Sequence, residues 1–208
     1  MPPRRLGLCA ALASDVRCRA RRDGVRATVR DMAGAAFGQS ELDVLLKRLD
    51  AVAAISFEPR LRLSEMSPGS LPELEALNRR RCDTTASHRF AADLERRYHG
   101  WTAHEDGELA GYYWWIDATA EPHPHLALLD IELAPRDVYG FDFFLDERHR
   151  GAGRAVEFLF QVESLLRERG YERLWGYVAA ANTSARWLYS MRGYEVARTV
   201  RRRRISLR

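Results

Sequence analysis

Residues 138–154, Val-Tyr-Gly-Phe-Asp-Phe-Phe-Leu-Asp-Glu-Arg-His-Arg-Gly-Ala-Gly-Arg, constrain the fold of this chain more than any other stretch. Aromatic and β-branched residues from Val138 to Leu145 favour a strand. Gly151 and Gly153 then remove side chains where the backbone turns tightly or lies close to another group. Ala155, Phe158, Leu159, Val162, Leu165 and Leu166 recur at helical spacing up to Gly170, and Leu174–Val178 reads as a second strand. Residues 138–178 are therefore a strand–helix–strand crossover, and its two strands should be parallel neighbours with a right-handed connection. The first N–H groups of the helix have no intrahelical partner, so the glycine turn and helix start together predict a bound phosphate.

The elements around that unit fill out a mixed α/β fold. Leu42, Leu45, Leu46 and Leu49 follow Ser40 at helical spacing, which predicts a helix over 41–50, with a short strand over 52–57. Leu61 and Leu63 alternate with charges in a half-buried strand over 60–65. Ser70 and Glu73 form a capping box with Pro72 in the first turn, so a helix runs to about Arg81, and another spans about 86–98. Asp106-Gly107 joins strands 101–105 and 108–116 in a tight hairpin. The connection 117–137 carries a short strand at 126–133, Asn182–Met191 is a short helix, and the tail from Tyr194 is a strand or hairpin. The expected architecture is α/β (α+β), with a mostly antiparallel central sheet, one parallel strand pair and helices on both faces. Residues 1–39 read as an arginine-rich, weakly ordered extension, 40–59 as a helix and short strand, and 60–208 as the main domain.

Composition narrows the class. The 208 residues are 46% hydrophobic and 30% charged, as in a globular protein able to bury a core. The net charge of +4 comes almost wholly from arginine, Lys47 being the one lysine. Cys9, Cys18 and Cys82 show no paired spacing, so neither a disulfide framework nor a zinc site is expected, and a reducing, cytoplasmic setting fits best. No apolar run reaches the roughly 18–20 residues of a membrane span. The apolar run Leu6–Ala13 is a poor imitation of a signal peptide.

A lone Gly-x-Gly is a weak signal. A dinucleotide fingerprint needs a third glycine where Val156 stands, and a Walker phosphate loop needs Gly-Lys-Ser or Gly-Lys-Thr, which the chain lacks. With its flanks the turn is more specific. Arg148-x-x-Gly151-x-Gly153, after a strand and opening an amphipathic helix, resembles the acyl-CoA pyrophosphate loop of the GNAT superfamily of N-acetyltransferases. About thirty residues on, Asn182-Thr183-Ser184-Ala185-Arg186-Trp187-Leu188-Tyr189-Ser190-Met191-Arg192-Gly193-Tyr194 resembles the second signature of that superfamily. The resemblance covers roughly residues 60–208.

The resemblance implies that the parallel strands splay apart at the acyl-CoA site and that acyl group and amine meet in the gap. Backbone groups of Phe143, Phe144 and Leu145 would pair with the pantetheine arm. The segment Arg148, His149, Arg150, Gly151, Ala152, Gly153 and Arg154 would hold the pyrophosphate, and Asn182 and Ser184 would contact the cofactor, although Asn182 is also a natural helix N-cap. Tyr189 matches the family's general acid. The general base is open between Asp142, mid-strand among aromatics, and Glu132, with Asp130 nearby. The implied co-substrate is acetyl-CoA or another acyl-CoA with no metal, and the acceptor is an amine on a small molecule or protein. No cysteine falls in either signature, so direct transfer is expected rather than an acyl-enzyme. A monomer or homodimer, with no membrane or nucleic-acid partner, completes that reading.

Other features are read more plainly. His123-Pro124-His125 is two ligands at most and is expected to be a solvated turn. Tyr139 is expected in the core or lining the acceptor side. Of Tyr112-Tyr113 and Trp114-Trp115, one residue of each pair should face the core and the other a helix or cleft. Arg79-Arg80-Arg81 complements a helix C-terminus, with an anionic acceptor as the sharper alternative. The run Arg201–Arg204 protects a strand edge. A non-catalytic module of the same fold that binds CoA or nucleic acid is the competing function, and a transferase using another acyl donor is a third.

Overall fold

The computed structural model describes residues 14–18, 20–21, 39–50, 52 and 58–203. Among the described residues seven strands are present, β1 (Gln39–Arg48), β2 (Arg62–Glu65), β3 (His99–Glu105), β4 (Glu108–Asp117), β5 (Asp137–Leu145), β6 (Arg173–Ala179) and β7 (Glu195–Arg203). Helices α1 (Leu71–Arg80), α2 (Thr84–Glu95), α3 (Pro124–Leu129), α4 (Arg154–Glu168) and α5 (Thr183–Met191) accompany them. The expected short strand over 52–57 and the extension over 1–39 lie largely outside the described residues.

The chain forms two compact units. The smaller contains α1 and α2, the helical residues 14–18, and a disulfide between Cys18 and Cys82. This corrects the expectation of unpaired cysteines: the partners are 64 residues apart, so no local spacing announces them. The α1 helix buries Leu74 and Leu77. Ser70 does precede it, but its hydroxyl accepts from the Ser67 amide at 3.3 Å in a 3-10 turn rather than capping α1. Arg79 and Arg80 lie in the last turn of α1, and Arg81 pairs with Asp83 at 2.9 Å.

The larger unit is built on one sheet of order β2-β3-β4-β5-β6-β1-β7. The pairs β2–β3, β3–β4, β4–β5 and β6–β1 are antiparallel, and β5–β6 is parallel. The Asp106-Gly107 turn has φ of 53° and 83°, the two left-handed residues of a primed hairpin turn. In β4 every residue from Leu109 to Ile116 is buried, so this central strand is covered on both faces. On one face Trp101, Tyr113, Trp115, Val138 and Leu174 pack with Phe158, Leu159, Val162 and Leu166 of α4 and Leu188 of α5. On the other, α3 buries Leu126 and Leu129, and the His123 ring that caps it stacks on Phe141 at 4.4 Å.

Two expectations are corrected here. Residues 41–48 are strand, not helix. Leucines at 42, 45, 46 and 49 satisfy helical spacing, but β1 sits between β6 and β7 and buries Asp43, Val44 and Leu45 in succession. Hydrogen bonding to β6 decides the conformation over local pattern. Of the two readings of the tail, strand or hairpin, the described residues form the strand, β7, next to β1. Residues 124–129 are helical where a short strand was expected, opened by Pro124 in the first turn and by the His123 Nδ1 accepting from the His125 amide at 3.1 Å.

Candidate active site

The parallel pair opens part-way along its length. β5 and β6 are in register only at Asp137–Arg173, Val138–Leu174 and Tyr139–Trp175. At that end Asp137, buried, accepts from Arg173 Nε at 2.6 Å and Trp175 Nε1 at 3.1 Å, which staples the strands together. Beyond it, β4 pairs Trp115 with Gly140 but Trp114 with Asp142, leaving Phe141 as the extra residue of a β-bulge. A bulge bends its strand and increases twist, and here it turns β5 away from β6. The resulting gap is lined by Tyr113, Gly140, Asp142, Phe143, Tyr177 and Tyr189, among others. Gly140 is required for a specific reason: a Cβ there would stand 1.9 Å from the Tyr113 hydroxyl.

A groove of about 780 Å³ continues from the gap between the end of β5 and the start of α5. Phe143, Phe144 and Leu145 form one wall, Arg150, Gly151, Gly153 and Arg154 the turn, and Asn182, Ser184, Trp187 and Leu188 the other wall. Phe143, Asn182 and Ala185 line both groove and gap, so the two are continuous. The turn places Gly151, Ala152 and Gly153 at φ of 120°, 42° and 78°. Three successive positive-φ residues make a tight turn with little side chain; the Arg154 amide donates back to the Gly151 carbonyl at 2.9 Å, so the first-turn N–H groups that α4 leaves for an anion are those of Ala155 and Val156. The backbone thus offers a cradle for an anion, while the edge of β5 beyond Tyr139 has no β6 ladder to satisfy it. These features fit the pyrophosphate and amide-bearing arm of an acyl-CoA.

The cations of the turn divide in an order the sequence does not reveal. Arg154 Nε contacts Glu105 at 2.6 Å, His149 Nδ1 contacts the other oxygen of Glu105 at 2.8 Å, and Arg148 approaches Glu108 at 3.5 Å. Glu105 and Glu108 face each other across the β3–β4 hairpin, where like charges repel. Arg148 and Arg154 offset that repulsion, and with the His149 hydrogen bond they dock the turn on the hairpin. The hydrogen bond from His149, then that from Arg154, holds the Glu105 carboxyl below its ordinary range. Arg150 lines the groove, as Arg154 also does, and its Nε donates to the Leu145 carbonyl at 2.9 Å.

Asn182 caps α5, its Oδ1 accepting from the Ala185 amide at 3.1 Å. Two turns into that helix, Tyr189 packs edge-on to Tyr194 at 4.9 Å and presents its phenol to the gap. Burial raises its pKa, reinforced by Tyr177, Asp142 and the buried Glu163, so the phenol stays protonated. Tyr113, from the facing strand, is raised by burial and then by Tyr189. Behind this pair Glu163 of α4 is fully buried and bound by Arg192, whose carbonyl accepts from Lys47 Nζ. Burial raises the Glu163 carboxyl, and Arg192 and Lys47 oppose the rise.

Of the two carboxylates considered as base, Asp142 lines the gap and Glu132 is exposed in the loop before β5, outside the gap lining. Asp142 shares the Trp114 side of the sheet, the side to which Tyr139 and Phe141 belong. There His123 is buried and His125 half-buried, while Pro124 between them stays exposed, so the turn is solvated only in part. His123 is buried against Phe141, and His125 Nδ1 lies 3.2 Å from the Tyr139 hydroxyl and edge-on to Tyr177. Among the described residues no group of three or more His, Cys, Asp or Glu is placed to hold a metal ion, and no helix is long and apolar enough to cross a membrane. Sequence reasoning missed Gly140, Tyr177 and Trp187 as site residues. Gly140 carried a usable signal, since an isolated glycine in a strand marks a bulge or a close approach.

The sequence model of the acetyltransferase (GNAT) family matches residues 64–194. Solved structures share the fold. One, assigned to the GNAT family of acetyltransferases, from Novosphingobium aromaticivorans, is 18% identical with a TM-score of 0.52, covering 78% of this chain and 62% of that protein. The GCN5-related N-acetyltransferase of Sphaerobacter thermophilus is 18% identical with a TM-score of 0.56, covering 82% of this chain and 53% of that one. The ribosomal-protein-S18-alanine N-acetyltransferase of Escherichia coli is 19% identical with a TM-score of 0.50, covering 64% and 76% respectively. The chain thus spans less than two thirds of the length of each of the first two. No curated protein matches the sequence.

Proposed function

Because the chain belongs to the acetyltransferase (GNAT) family, we propose that it transfers an acyl group, acetyl in the simplest case, from acyl-CoA directly to a primary amine. One observation carries this reading: the anion cradle at Gly151–Gly153 opens into a groove that leads without interruption, through Phe143, Asn182 and Ala185, to a gap holding both a phenol and a carboxylate. Acyl-CoA supplies the activated thioester carbonyl; attack by the amine nitrogen forms the N–C bond as the C–S bond breaks. The turn amides and Arg150 hold the phosphates, and the backbone of Phe143, Phe144 and Leu145 orients the arm. Tyr189 Oη keeps its proton for the departing sulfur, and the Asp142 carboxylate takes the proton that the ammonium must lose. Glu132 is left as a base only through intervening water.

The acceptor is an amine whose identity lies beyond the gap, and the fold neighbours do not transfer theirs to this chain. Acetyl-CoA incubated with a panel of small amines and peptide N-termini, with thiol release followed, tests the proposal. Acceptor-dependent release of one thiol per amide formed is the expected outcome. Tight acetyl-CoA binding with no release for any amine would instead favour a non-catalytic CoA-binding module.

A further inference from the structure

We propose that Trp187 is the platform on which the adenine ring of acyl-CoA stacks; this rests on the acyl-CoA reading above. Tryptophan is highly buried on average, yet Trp187 is 63% exposed, the most exposed of the large apolar side chains among the described residues. It is not stranded on open surface. It lines the same groove as Arg150, Gly151 and Gly153. It is absent from the lining of the gap, which α5 reaches through Ala185 and Tyr189. A ligand with its thioester in the gap and its pyrophosphate at the glycine turn must leave its nucleoside in the part of the groove that the gap does not share. Trp187 is the aromatic face offered there, since Phe143 belongs to the gap as well and Phe144 has the Arg150 guanidinium 5.9 Å over its ring. Stacking of a base on an aromatic side chain is strong enough to matter and tolerant of geometry, and Arg150 adds positive charge for the phosphates.

The proposal explains why α5 carries an exposed indole at this position, and it separates Trp187 from Met191, one turn further along and 55% exposed, which does not line the groove. A self-contact between two copies through Trp187 and Met191 is the competing occupant.

Calorimetric titration of the full chain and of Trp187→Ala and Trp187→Phe, with acetyl-CoA and with S-acetyl-4′-phosphopantetheine, distinguishes these. The second ligand keeps the arm and lacks the nucleoside. The expected result is a loss on the order of tenfold in acetyl-CoA affinity for Trp187→Ala, near wild-type affinity for Trp187→Phe, and no change for either variant with the phosphopantetheine thioester. Unchanged acetyl-CoA affinity in Trp187→Ala, or equal loss of both ligands, overturns the platform alone. So does a dimer-to-monomer shift in sedimentation with nucleotide affinity intact. If wild-type protein binds neither ligand, the acyl-CoA reading fails and the platform with it.

Discussion

The Tyr113 hydroxyl occupies the space that a side chain on Gly140 would need, a Cβ there falling 1.9 Å from the oxygen. The β-bulge at Phe141, the opening between β5 and β6 and the position of a phenol in the gap therefore depend on one another. Gly140→Ala should force the ring of Tyr113 aside in a packed core and cost about 1–3 kcal/mol of stability, read from urea denaturation. The same change made in a Tyr113→Ala background should cost much less. Equal costs in both backgrounds would show that the two residues are not coupled.

Tyr189 is expected to act as an acid, and its pKa is pushed up chiefly by burial. The protonated form is the active one, and a raised pKa extends its range toward alkaline pH. Tyr189→Phe should lower kcat about a hundredfold and leave the acetyl-CoA Kd within about twofold. The wild-type rate should show no alkaline fall below about pH 10 from this group. A parallel loss of binding and turnover would make Tyr189 a packing residue.

The glycine turn, the Asp106-Gly107 hairpin and the crossover from β5 to β6 are legible in the sequence because each is set by residues close together in the chain. β1 is not, since Leu42, Leu45 and Leu49 satisfy a helix equally well until β6 supplies backbone partners. The same holds for the Lys47–Arg192–Glu163 cluster, which draws residues from β1, α4 and the turn after α5. The candidate site was readable at the glycine turn, where glycines and a helix start make a pattern. It was unreadable where function depends on what a strand bend brings together, as with Tyr113 and Tyr177. His123 and His125 were misread for that reason: contacts with rings such as Phe141, Tyr139 and Tyr177 bury the first and half-bury the second.

Glu105 links the hairpin to the turn that forms the anion cradle. Its carboxyl is held below the ordinary value of 4.5, first by His149 and then by Arg154. A depressed folded-state pKa adds stability that is fully present above the unfolded value and disappears as pH falls through the folded one. Wild-type protein should therefore exceed Glu105→Gln by about 1–2 kcal/mol above roughly pH 5, with the difference closing in acid. The variant should also bind acetyl-CoA more weakly, because Arg154 and His149 lose the group that docks the turn. A difference that is independent of pH would contradict the ion-pair account.

The Cys18–Cys82 bridge closes a separation of 64 residues. Purified without reductant and denatured, the protein should titrate one thiol with Ellman's reagent, Cys9 of the three cysteines in the chain. Reduction should lower the stability of the smaller unit, by up to about 4 kcal/mol on chain-entropy grounds. Three reactive thiols in freshly oxidised protein would show that the bridge does not form.

On the proposed function, the turn at Gly151–Gly153 holds the phosphates of acyl-CoA. Gly151 has φ +120°, which only glycine adopts easily, and its Cβ direction is open, so glutamate there adds both strain and a negative charge at the cradle. Isothermal titration of wild-type and Gly151→Glu protein with acetyl-CoA, on samples with matched thermal midpoints, is the most direct test. Saturable binding by the wild type and at least a tenfold loss in Gly151→Glu is the expected result. No heat with the wild type, or equal affinity in both proteins, would contradict the account.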